Sequence, residues 1–201
     1  MESEGELRDP EPDLCDEVVL LRPWEDGDLP CVQSASREGL IPQSTTVPAR
    51  FSVEAGQEWI ARQHGRTRDG QGWSLAIVDA ESGRAVGCVV LLVRPQPGVV
   101  GLGYWLAPGA RNRGYATRAV GLMTSWALQV QCFARVEAWV EPDNAASSAV
   151  LRRCGFVYEG RLRSFLSIGP RRADAAVYSR LADDRAASAA GQVDTDGDRR
   201  S

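Results

Sequence analysis

Hydrophobic and polar positions alternate between two periods along the middle of the chain. "EVVLLRPW" (17–24) is an apolar strand closed by Pro23. "DGDLPCVQSASREG" and "SVEAGQEWIARQHG" have helical spacing, and the second opens on a capping box at Ser52, with Gly65 as its expected C-cap. "GWSLAIVDA" and "AVGCVVLLV" are strands joined by the hairpin turn "ESGR", and "VVGLGYWLA" is a strand stopped by Pro108-Gly109. A helix is predicted from about Gly114 to Val130, with Tyr115, Ala119, Met123, Trp126 and Val130 on one stripe. "FARVEAWV" alternates as a half-buried strand. "DNAASSAVLRRCGF" is a short helix between an N-cap at Asn144 and a terminating Gly155. "VYEG" and "AAVYSRL" close the pattern as strands. The order implies an α+β fold, a mixed sheet with helices on its faces. The six tryptophans fall on these stripes and strands and are expected in the core.

Both ends lack such periodicity. Residues 1–16 and 183–201 are expected to be disordered acidic tails around one domain, 17–182. Eight acidic residues and one arginine in 1–17, with five aspartates and three arginines in 183–201, leave the body at net +5 although the whole chain is −4. Every one of the 23 basic residues is arginine. A mildly cationic body between acidic ends suits a small polyanion better than nucleic acid, which calls for a dense basic face.

Other chemistries are excluded in turn. The longest apolar run, Val86–Val93, is strand-sized, so no membrane span or membrane partner is expected, and the acidic start does not resemble an export signal. Five scattered cysteines in no metal-like spacing, with His64 as the only histidine, argue against a metal site and for a reducing cytoplasm. "GLGYWL" lacks G-x-G-x-x-G and lies within a strand, which argues against a dinucleotide fold.

What remains is "RNRGYATRAV" (111–120), between a strand and a helix. There the first amides of the helix lack intrahelical partners and lie at the positive end of its dipole. Gly114 places no Cβ in the way, Ala116 is small, and Arg111 and Arg113 match phosphate oxygens. Together these make a seat for a diphosphate.

"GYWLAPGARNRGYATRAV" followed by "VEPDNAASSAVLRRCGFVYEG" resembles the GNAT superfamily of acyl-CoA N-acyltransferases, in particular the group that includes the ribosomal-protein N-terminal acetyltransferases. The resemblance runs from about Val18 to Leu181. It implies a mostly antiparallel sheet with helices on both faces, acetyl-CoA as acyl donor, no metal, and direct attack by an amine on the thioester. It also implies that Arg111, Asn112, Arg113, Gly114, Tyr115, Ala116 and Thr117 hold the diphosphate. The strand ending Trp105-Leu106-Ala107 would pair its backbone with the pantetheine arm. Ser147 would donate to the leaving thiolate while Asn144 positions the arm. Homodimers are common in the resembled group.

Two departures stand out. The tyrosine that many members carry seven residues after the asparagine is Leu151 here, which leaves Tyr158 as a substitute acid only if it faces the cleft. No carboxylate occupies the strand before Gly103-Tyr104, and the offset used by some relatives falls on Leu166. A lysine amine is neutral in only about one part in 10³ at pH 7, an α-amine far more often, so the missing base tilts the acceptor toward α-amines. A protein N-terminus and a small amine both stay open as acceptors. So does a different reading, a catalytically weak acyl-CoA-binding module. Ile41, Pro42 and Pro48 on one side, with Arg163 and Phe165 on the other, are expected around the acceptor mouth.

Overall fold

The computed structural model describes residues 7–184. Strands β1 (Leu14–Cys15), β2 (Val19–Arg22), β3 (Gly72–Asp79), β4 (Arg84–Val93), β5 (Val99–Leu106), β6 (Arg135–Val140), β7 (Val157–Ile168) and β8 (Arg171–Leu181) form one sheet. Their order is β1-β2-β3-β4-β5-β6-β8-β7. All neighbours are antiparallel except β5 and β6. Five helices cover the sheet: α1 (Leu29–Ser36), α2 (Leu40–Ser44), α3 (Val53–Arg68), α4 (Tyr115–Gln129) and α5 (Ala145–Arg153). The expected architecture is the observed one.

Strand alternation divides the core in two. Trp73, Leu75, Ile77, Val89, Leu91, Val100 and Leu102 meet Ala119, Val120, Met123 and Trp126 of α4 on one face. Ala76, Val78, Cys88 and Trp105 meet Trp24, Val32, Trp59 and Ile60 beneath α1 and α3 on the other. Within this second layer Trp24 and Trp59 are edge-on at 4.8 Å.

Several expectations need correction. Residues 7–16 do not form a tail. Pro10 is buried, Trp73 Nε1 donates to the Arg8 carbonyl (2.8 Å), Thr67 Oγ1 to Asp9 (2.9 Å), and Leu14–Cys15 pairs with β2. These are tertiary bonds that no local periodicity announces. Most of the expected second tail lies outside the described residues. Ser52 caps α3 through the Ala55 amide (3.1 Å), but the methyl side chain of Ala55 cannot return the bond, so the box is half a box. α3 also runs through Gly65 to Arg68, and the chain turns at Gly70 (φ 69°). His64 accordingly sits inside the helix, its Nε2 2.7 Å from the Trp24 carbonyl. Val130 lies past the end of α4 and is exposed.

The closing hairpin is much longer than expected. β7 and β8 carry two irregularities, one between Tyr158 and Gly160, the other between Leu162 and Leu166. In the second, Arg163, Ser164 and Phe165 stand opposite one residue, Asp174. Asp174 accepts from the Ser164 amide (2.7 Å) and steadies Ser164 at φ 51°. A bulge of this kind breaks the period-two pattern, so the strand reads as loop in the sequence, and it re-aims the side chains it carries.

Candidate functional site

The site is built by a gap in the sheet. β5 and β6 pair only over Val99–Gly101 and Arg135–Glu137, although β5 continues to Leu106 and β6 to Val140. Beyond Gly101 the strands have no residues opposite each other. On β5, Ala107 N donates to Val86 O (2.9 Å) and Val99 O accepts from Arg94 N (3.0 Å), so the odd-numbered residues commit their backbone to β4. The even-numbered residues turn theirs toward β6. Tyr104 and Leu106 thus face the opening with no β6 residue to receive them. This narrows the expectation for the strand end: Leu106 offers its backbone to the gap, Trp105 pairs with β4, and Ala107 donates its amide to Val86 while its carbonyl accepts from the Ala110 amide.

At the end of β5 the chain makes one turn of 3-10 helix (Pro108–Ala110) and then enters α4. Asn112 (φ 61°) and Gly114 (φ 84°, ψ −8°) are both left-handed, and this pair of reversals throws the loop outward before the helix begins. Gly114 is the N-cap, no side chain caps α4, and the first intrahelical bond is Arg118 N to Gly114 O (3.2 Å). The amides of Tyr115, Ala116 and Thr117 are therefore free of intrahelical acceptors. A Cβ built on Gly114 would meet nothing within 4 Å, so its space is open to a ligand.

The expected cationic residues flank this turn unequally. Arg113 is exposed, its guanidinium 5.1 Å from the Tyr115 ring, and Tyr115 itself is buried beneath it. Arg111 is held by Glu38, between α1 and α2, in a paired contact of 3.3 and 3.2 Å. Glu38 thus reaches the turn before α4, through an arginine.

α5 enters from the other side of the gap. Asn144 Oδ1 accepts from the Ser147 amide (3.0 Å), the N-cap bond expected of it. Tyr104 Oη donates to the Ser147 carbonyl (3.1 Å), tying β5 to the first turn of α5. Burial pushes the Tyr104 hydroxyl up to about 12, so it stays a donor across the working pH range. Sequence reasoning missed Tyr104. Its only signal is its alternation with the inward Val100 and Leu102, and the gap that gives it meaning is not visible in one strand. Tyr158, by contrast, lies on the edge strand, half exposed against the Tyr178 ring at 5.5 Å, two strands from β6. The structure does not bring it to the gap. Leu151 is fully buried in the core under α5.

Of the residues expected around the acceptor mouth, Ile41 is buried against the tryptophan layer. The end of α2 instead meets the β7–β8 turn, where Gly169 N donates to Gln43 O (2.9 Å). Phe165 is edge-on to Trp139 at 4.7 Å. Trp139, expected in the core, is only partly buried, since no helix covers this part of the sheet.

No cluster of potential metal ligands occurs among the described residues, and none of their helices is long and apolar enough to cross a membrane. The family model for the acetyltransferase (GNAT) domain matches residues 19–157. A probable N-acetyltransferase, YjcK of Bacillus subtilis (strain 168), is 29% identical over 120 residues, which are 59% of this chain and 66% of that protein. The uncharacterized N-acetyltransferase p20 of Bacillus licheniformis is 25% identical over 158 residues, 78% of this chain and 88% of its own. The structure of Mycobacterium smegmatis RimJ in complex with CoA-disulfide superposes with a TM-score of 0.69 at 24% identity, covering 87% of this chain and 90% of that one.

Proposed function

From the premise that the chain belongs to the GNAT acetyltransferase family, we propose that it moves the acetyl group of acetyl-CoA onto a primary α-amine by direct attack, in the gap between β5 and β6. The observation that carries this reading is the conjunction of that gap with the uncapped start of α4. The amides of Tyr115 to Thr117, with Arg113 and the open space at Gly114, take the diphosphate. The pantetheine arm lies along the free edge of β5 and donates to the backbone carbonyl of Leu106. Arg111 joins the diphosphate seat as Glu38 shares or releases it.

The acetyl carbonyl then lies at the gap, where the backbone amide of Leu106 polarises it. The amine nitrogen bonds to the carbonyl carbon, the C–S bond breaks, and the amine's extra proton leaves to water. The Ser147 hydroxyl donates to the departing thiolate, and Asn144 and Tyr104 hold its turn of helix in place through the Ser147 amide and carbonyl. Water as proton acceptor suffices for an α-amine, whose neutral form costs only about 1 kcal/mol at pH 7. The chain acts on a protein N-terminus or a small amine.

Thiol release from acetyl-CoA with a panel of amines tests this directly. Turnover on α-amino peptides or amino-acid amides is expected. Tight association with CoA but no turnover on any amine would leave an acyl-CoA-binding module in its place.

A further inference from the structure

On the face opposite α4 and α5, the sheet is bare where β5, β6, β8 and β7 run side by side, and a groove of about 850 Å³ lies there. Its position matters because of the gap. A carrier seated at the start of α4 reaches the gap from the α4–α5 face, so an attacking amine must come from the other one. Trp139, on β6 just past its last paired residue Glu137, borders the gap and lines the groove together with Glu137.

The groove has an apolar wall and a closed charge set. Phe165, delivered by the β7 bulge, packs on Trp139, with Leu162 and Val177 beside them. The Arg94 guanidinium lies over the Trp139 ring at 3.8 Å, in the space above Gly101, where a Cβ would collide with it. Arg94 Nε is 3.3 Å from Glu137 Oε1 yet out of line for a hydrogen bond, so this buried N–H has no acceptor. Both acidic residues of the lining are already engaged. Glu137 meets Arg94 and Arg135, and Glu159 is gripped by both terminal nitrogens of Arg135 and by Ser179. Arg161 pairs outside the groove with Asp174. A polycation finds no free carboxylate here, whereas an apolar group finds an aromatic wall.

We infer that this groove is the acceptor's specificity pocket, and that it selects an α-amine with a large apolar or aromatic side chain within its first two residues over polycationic amines. The inference rests on the acetyl-transfer reading above and names the acceptor for that same site. Shape and desolvation do the sorting: a large apolar side chain gains burial against Trp139 and Phe165, and an amine with several charges loses hydration with nothing returned.

The test uses the full chain, acetyl-CoA and the peptides Phe-Gly, Gly-Phe and Gly-Gly beside spermidine. The better of the two phenylalanine peptides should exceed Gly-Gly in kcat/KM by at least about tenfold, with spermidine the poorest. Phe165→Ala, a change at an exposed bulge that spares the core, should collapse that ratio, mainly through KM, while CoA affinity by calorimetry stays as in the parent. Trp139→Leu should do the same. Spermidine turned over as well as the peptides, or a ratio untouched in both variants, would overturn the inference while leaving acetyl transfer intact. Undiminished CoA binding with no turnover on any of the four amines would overturn both.

Discussion

Replacing Gly114 separates the strain of its backbone from its place in the diphosphate seat. Its φ of 84° is left-handed, and a Cβ there would meet no atom within 4 Å. Gly114→Ala and Gly114→Asp should therefore strain the fold alike, by about 1–2 kcal/mol without any clash, which for a chain of this size lowers Tm by about 2–8 °C. Binding should tell them apart. In both variants a Cβ enters the open space at Gly114 through which, on the proposed placement, the diphosphate approaches the amides. Only the aspartate adds a negative charge about 4–5 Å from phosphate, worth about 1–2 kcal/mol at an exposed turn and a further factor of about 5–30 in affinity. That factor should shrink as salt rises, because the turn is exposed to solvent. Calorimetric titration of CoA into both proteins at low and high ionic strength, with thermal melts alongside, measures each part. Equal CoA affinity for the two variants at low salt would refute the placement of the diphosphate beside Gly114.

Three further outcomes are expected. Ser147→Ala should lower kcat by about tenfold or more and leave CoA affinity within a few-fold, whereas equal losses in both would make the hydroxyl a binding contact alone. Glu38→Gln removes the charge that holds Arg111, so CoA should bind a few-fold tighter, as titration would show. The Arg135 guanidinium, followed by the Ser179 hydroxyl, holds the Glu159 carboxyl down to about 2 from an ordinary 4.5. A group lowered on folding adds stability above its unfolded value and loses it as pH falls toward the folded one. The urea midpoint should therefore drop between about pH 4.5 and 2, and Glu159→Gln should flatten that drop.

The elements legible in the sequence are those whose periodicity is local and uninterrupted. Tyr115, Ala119, Met123 and Trp126 declare α4, and each is buried. The central strands read correctly because both of their faces are covered. β7 was illegible beyond Gly160 because the second of its bulges breaks the alternation, and α2 because five residues around Pro42 leave too short a pattern. The Gly114 turn could be placed from residue types alone, since a glycine ahead of a helical stripe marks it, and the structure sets it there at an uncapped helix start. Tyr104 and the groove could not. Their meaning depends on β5 and β6 parting after Gly101, which is a property of pairing and leaves no mark in either strand. Trp139 shows the same limit: its strand alternates correctly, but only the fold shows that no helix covers its outer face.

The central claim is that the thioester carrier lies between the start of α4 and the free edge of β5. Titrating CoA into the ¹⁵N-labelled protein and following its backbone amide resonances tests this most directly. The largest shifts are expected at Arg113 to Thr117 and at Tyr104 and Leu106, with those of α3 unmoved. Shifts concentrated elsewhere, with the Gly114 turn silent at saturation, would contradict it.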